Sequence, residues 1–152
     1  MDWSKRQPID DWEVDLTEPL DWRLLRMSED EVNVLESELH LTVPDFLRRW
    51  LIDNPFRNFP EQTRCLVCNR DRLISENVEL RREGYYGRNW PENLLWIGDD
   101  WAGGAYFVDV TEKSAAVYWY DWEEGRGDIV LPENSERHEP EEFIQYIAGL
   151  SD

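Results

Sequence analysis

Histidine and cysteine are scarce, with two of each in 152 residues. His40 and His138 stand alone. Cys65 and Cys68 form a single C-x-x-C with no second pair at metal spacing, which falls short of the four ligands of a structural zinc site. A redox role for the pair needs it to open a helix after a strand. The stretch Thr63 to Cys68 reads as a strand, which sends the two thiols to opposite faces, so reduced and partly buried thiols are expected. Long apolar runs are also missing. Runs such as Leu94 to Ile97 are far below the ~20 residues that span a bilayer. Met1 to Arg6 contains no apolar signal core, so the chain is expected to stay in the cytoplasm. Positive charge is in deficit, with 16 Lys and Arg against 34 Asp and Glu, a net charge of −18. Such a field repels phosphate, which argues against nucleic acid and anionic membranes as partners. The same field attracts basic proteins.

Catalytic signatures are equally thin. The sequence has no G-x-S-x-G nucleophile elbow, no phosphate-binding loop and no G-x-G-x-x-G. With so many acids, accidental carboxylate pairs are common and say little about acid–base chemistry. Asp99, Asp100 and Asp109 are candidate calcium ligands, but D-D-W-A-G-G lacks the alternating carboxylates of an EF-hand loop. Asp99 and Asp100 suit a turn, where their side chains bond the local backbone. No cofactor, metal or enzymatic activity is expected.

The chain is rich in material for a core. Apolar residues make up 41% and aromatics 13%, too much for a disordered chain. The length suits one domain that buries roughly 70% of its unfolded surface. Residues 1–27 form an acidic lead-in marked by Trp3, Trp12 and Trp22, with a possible short helix after Pro19. The main domain spans 28–150. Ser28-Glu29-Asp30-Glu31 is a capping box that starts a helix with Val32, Leu35 and Leu39 on one face. Pro44 opens a second helix carrying Phe46, Leu47, Trp50 and Leu51. Ser75-Glu76-Asn77-Val78 suggests the cap of a short helix through Arg82, ended by Gly84. Leu94 to Gly98 reads as a central strand. Ala105 to Val110 and Ala116 to Trp122 read as an antiparallel hairpin. Asp128 to Leu131 suggests one more strand. Pro140 opens a closing helix with Phe143, Ile144, Ile147 and Leu150. The expected class is α+β, an antiparallel meander of about four to six strands packed with N-terminal helices and a C-terminal helix.

Four stretches in this order resemble the SUKH superfamily, which includes bacterial toxin-immunity proteins and a fungal cell-wall assembly regulator. They are Leu35 to Leu51, with its step through Val43-Pro44; Trp96 to Asp109, with its acidic Gly-containing turn; Val117-Tyr118; and Glu142 to Ile147. The chain departs from the family pattern at Val43, at Trp101-Ala102 and at Asp121-Trp122. The resemblance implies an immunity protein that binds and neutralises a cognate protein toxin, and the charge suggests a toxin with a basic surface, such as a nuclease. Two other readings are a non-enzymatic interaction scaffold in signalling or envelope assembly, and carbohydrate binding through exposed tryptophans.

Alternation in Tyr118-Trp119-Tyr120-Asp121-Trp122 makes both strand faces aromatic. Tryptophans are frequent binding hot spots, and acidic neighbours steer basic partners. The candidate partner-binding residues are therefore Asp99, Asp100, Trp101, Trp119, Asp121, Trp122, Glu123 and Glu124. Oligomeric state is left open.

Overall fold

A computed structural model describes residues 26–55, 65–100, 102–123, 125 and 127–149. Residues 1–25 of the lead-in, Trp101, Glu124 and Leu150 lie outside these residues, as does the short helix expected after Pro19, whereas Met27 at the end of the lead-in is buried. The described elements are α1 (Glu29–Leu39), α2 (Asp45–Asp53), α3 (Arg70–Glu83), β1 (Leu94–Asp99), β2 (Gly104–Asp109), β3 (Val117–Asp121), β4 (Glu136–His138) and α4 (Pro140–Gly149). The strands form an antiparallel meander in the order β1-β2-β3-β4. This is the α+β class expected from the sequence.

The helix starts follow local chemistry. Ser28 and Glu31 form the reciprocal capping box, and three acids fill the first turn of α1, where the helix dipole favours them. Val32, Leu35 and Leu39 are buried. Arg48 of α2 grips Glu29 through Nε at 3.0 Å and Nη2 at 2.6 Å, tying α2 to the start of α1. Arg81 of α3 donates to the Leu39 carbonyl at 2.9 Å, which satisfies the C-terminal end of α1.

Three expectations are corrected. The helix expected from Ser75 begins earlier, at Arg70, with Asn69 as its cap accepting from the Arg72 amide at 2.9 Å. Ser75 instead lies inside α3 and donates to the Arg72 carbonyl. Cys65–Cys68 forms no strand: the chain bends at Cys65 and Leu66. Val67 makes one backbone bond to Ile97 before the chain turns into α3. Asp128–Leu131 is not a strand of the sheet either. Its backbone bonds connect it to Asn89, with one isolated bridge between Asn89 and Ile129. The fourth position is taken by β4, which the sequence reading missed because Glu136, Arg137 and His138 carry no apolar alternation.

Both faces of the sheet are covered. On one, Tyr106 meets Phe143 of α4 edge-on at 5.0 Å, and Phe143 stacks on Trp50 of α2 at 5.8 Å. On the other, Phe107 meets Trp90 at 5.6 Å and Tyr120 meets Tyr85 at 6.1 Å. The segment after α3 thus provides the second cover. The outer edge of β1 is closed by Asn77 of α3, which is fully buried. Its amide donates to Trp96 O at 3.0 Å and accepts from Trp96 N at 2.8 Å. One side chain thereby stands in for a neighbouring strand on an edge that would otherwise present unpaired backbone groups.

Asp109 ends β2 by accepting from the Thr111 amide and hydroxyl and from Asn93. Partial burial pushes its pKa up, but these bonds outweigh burial and hold it below the ordinary value of 3.8. A depressed folded-state pKa gives stability that is present above the unfolded pKa and lost as pH falls through the folded one. Asp109→Asn is therefore expected to cost about 1 kcal/mol at neutral pH. The difference from wild type should shrink as pH falls through the folded-state pKa, as paired urea titrations over a descending pH series would show. A difference that stays constant down to the acid transition of the protein would count against the carboxylate as its source.

Candidate functional site

At one end of the sheet three turns converge: 84–88 after α3, 99–104 between β1 and β2, and 121–125 after β3. The register brings the last two together by pairing Gly104 with Asp121. Asp100 organises the β1–β2 turn. Its Oδ1 accepts from the amides of Ala102 and Gly104, both at 2.8 Å. Its Oδ2 accepts from the Trp119 indole at 2.8 Å. Gly103 takes φ +94°, and a Cβ there would collide with Trp122. A Cβ on Gly104 would collide with the Trp119 indole nitrogen. Glycine is required at both positions, by conformation at the first and by close approach at the second.

The turn after β3 is built in the same way. Asp121 accepts from the Glu123 amide at 2.9 Å, and its carbonyl accepts from Gly125 at 2.7 Å. Trp122 stacks on Tyr86 at 4.9 Å with the rings 17° apart. Tyr86 is exposed and has φ +48°, a backbone region that bulky residues seldom occupy. Tyr85 donates its hydroxyl to Gly103 O at 2.6 Å. Burial raises the Tyr85 pKa, and the negative charges of Asp99, Asp100 and Asp121 raise it further. The hydroxyl therefore remains a donor, and its environment records the convergence of three carboxylates.

Of the sequence candidates, Asp99, Asp100, Trp119, Asp121, Trp122 and Glu123 are gathered at this end. Trp101 and Glu124 fall outside the described residues. Asp100 and Trp119 are bonded to each other, and Asp121 and Trp122 are half-buried, while Glu123 is exposed. The sequence reading missed Tyr85 and Tyr86, whose loop carried no motif. It also missed Glu76, Glu79 and Glu83 of α3. With Leu80, Trp96 and Asp99 these three acids line a groove of about 420 Å³ between α3 and the β1–β2 turn. Their spacing of three and then four residues would have found them once α3 was given its full length.

The described residues contain no group of three or more His, Cys, Asp or Glu side chains able to hold a metal ion. Cys65 and Cys68 are buried and unbridged. Burial pushes the Cys68 thiol well up, which opposes the thiolate that redox or nucleophilic chemistry uses. The arrangement is suited to contact, with aromatic surface beside carboxylates at one end of a rigid sheet.

A family model described as SMI1/KNR4 (SUKH-1) matches residues 26–146, from the end of the lead-in to the closing helix. The chain belongs to the SMI1/KNR4 family, SUKH-1. All three converging turns and the groove lie inside the matched SUKH-1 region. A comparison with curated proteins returns no match. No described helix is long and apolar enough to cross a membrane.

Proposed function

We propose that this SUKH-1 protein is a cytoplasmic, non-enzymatic immunity protein that binds a cognate protein toxin and blocks it by occlusion and charge complementarity. The observation that carries the reading is the acidic and aromatic end of the sheet within a SUKH-1 domain. The net charge of −18 supports a basic toxin surface, as a nuclease would present. The binding residues are Asp99, Asp100, Trp101, Trp119, Asp121, Trp122, Glu123 and Glu124. Asp100 acts by holding the turn and the Trp119 indole in place. Glu123 and its neighbours supply the field that steers encounter.

The test begins with recovery of the partner from the source organism at low and high salt. The partner is then expressed in a sensitive host with and without this chain. Growth rescued by the chain supports the immunity reading. Several weak partners that are lost with salt, and no rescue, would favour the interaction scaffold. The triple variant Asp121→Lys, Glu123→Lys, Glu124→Lys is expected to slow association at low salt by roughly tenfold or more, with the difference shrinking at high salt. Wild-type association by a folded triple variant would remove this surface from the site.

A further inference from the structure

We propose that Tyr86 is the anchor of the partner interface, its ring entering an apolar pocket on the basic face of the cognate protein. This rests on the reading above and deepens it by naming a contact residue outside the binding set. Tyr85-Tyr86-Gly87-Arg88 is a two-residue hairpin turn. Tyr85 N donates to Arg88 O at 2.7 Å, and Arg88 N donates to Tyr85 O at 3.0 Å. The two central residues both have positive φ, +48° at Tyr86 and +82° at Gly87. Such a turn favours Asn, Asp or Gly at its first central position. Here that position holds a bulky aromatic, at a local backbone cost. A side chain that is 61% exposed recovers little of that cost by burial. The turn does not ask for tyrosine, whereas an interface does, since buried aromatic anchors carry much of the energy of binding.

The ring is held in place before any partner arrives. Trp122 stacks on it at 4.9 Å, and Tyr85 meets it edge-on at 4.7 Å. Both supports are fixed in turn at Gly103. Trp122 packs so closely there that a Cβ would collide with its indole, and the Tyr85 hydroxyl donates to the Gly103 carbonyl. A braced ring loses little freedom on binding. Charge decides the occupant. Asp99, Asp100 and Asp121 all act on Tyr85, the neighbour of Tyr86 in the turn. Arg88, the cation of the turn, is directed to the Gly125 carbonyl and the Tyr120 ring. The aromatic knob therefore stands beside a rim of carboxylates, which fits an apolar pocket rimmed by positive charge. A second copy of this chain would bring another −18 against it. Tyr146, the other prominent exposed ring, stacks on His138 at 5.8 Å. It belongs to α4, which covers the opposite face of the sheet, and it occupies a helical position without positive φ.

The experiment uses the full chain and the purified partner recovered in the salt series above. Tyr86→Asn gives the turn a residue it prefers. It is expected to melt within about 4 °C of wild type and to bind the partner at least about thirtyfold more weakly. Tyr86→Phe keeps the ring and should lose no more than about fivefold. Nitration by tetranitromethane, read by mass spectrometry, should modify Tyr86 in the free chain and spare it in the complex. Tyr146 should react equally in both. Wild-type affinity of the Asn variant, or equal nitration of Tyr86 in the complex, would overturn the proposal. A melting temperature lowered by about 10 °C or more would assign the ring to covering Trp122 and overturn it as well. So would a dimer seen by sedimentation and lost in Tyr86→Asn, which would assign the ring to a second copy. Growth rescue by wild type and the Asn variant alike would overturn the anchor and spare the immunity reading. Tyr86-dependent binding of a partner that does not harm the host would do the reverse.

Discussion

Asn77→Ala is expected to destabilise the protein by about 2–5 kcal/mol, because it strands two buried backbone groups at once. Asn77 is fully buried and bonds both Trp96 N and Trp96 O from across the gap between α3 and β1. Truncation leaves that amide and carbonyl without partners on a covered strand edge, where each costs about 1–3 kcal/mol. The loss should fall on the docking of α3, and hence on the α3 wall of the groove. Urea denaturation measures the total, and hydrogen exchange at the Trp96 amide identifies the cause. Asn77→Leu fills the volume without supplying hydrogen bonds, so it should remain strongly destabilised. Recovery by Leu would mean that packing, rather than hydrogen bonding, sets the role of this position.

The same residue explains why α3 was only half legible in the sequence. Leu73, Asn77 and Leu80 are its buried stripe, but a polar residue at the middle position erases the periodicity that marks a helix. Ser75-Glu76-Asn77 then looks like a cap. The true cap, Asn69, lies beyond a charged first turn with no apolar signal. By contrast α1 and α2 were legible because their caps and apolar faces agree. The strands β1 to β3 were legible because they are continuous and apolar, whereas β4 is short, polar and recruited only by its pairing with β3. Cys65–Cys68 misled in the other direction, since a short buried apolar run reads as a strand whether or not a ladder forms.

At the candidate site, sequence alternation located the β3 aromatics and the acidic turns but could not say which side chains face inward. Asp100 and Trp119 look alike in sequence to Asp121 and Trp122. Only the fold shows that the first two are bonded to each other and the second pair borders a stack with Tyr86. The aromatic character of both sheet faces, which suggested exposure, has a partly structural origin: the segment after α3 covers Phe107 and Tyr120. Among the described residues, exposed aromatic surface is narrower than the sequence implied, with Tyr86 and Tyr146 the most exposed rings. The acids of α3 join the site only through tertiary packing, because nothing in the chain order places residue 79 beside residue 103.

Trp50→Ala is the second large expected effect, a loss of about 3–5 kcal/mol. Trp50 is 9% exposed and lies on the buried stripe of α2 with Phe46, Leu47 and Leu51. Phe46 meets its ring edge-on at 5.2 Å, and Phe143 stacks on it at 5.8 Å. Through Phe143 it connects α2 to α4, and Phe143 in turn covers Tyr106 of β2. Removing the indole therefore opens a cavity where two helices and the sheet meet, a place that cannot collapse without moving one of them. For a chain of this length the melting temperature should fall by roughly 6–20 °C. Trp50→Phe retains a ring against Phe143 and should lose much less. An unchanged melting temperature in the Ala variant would contradict the packing of α2 against α4.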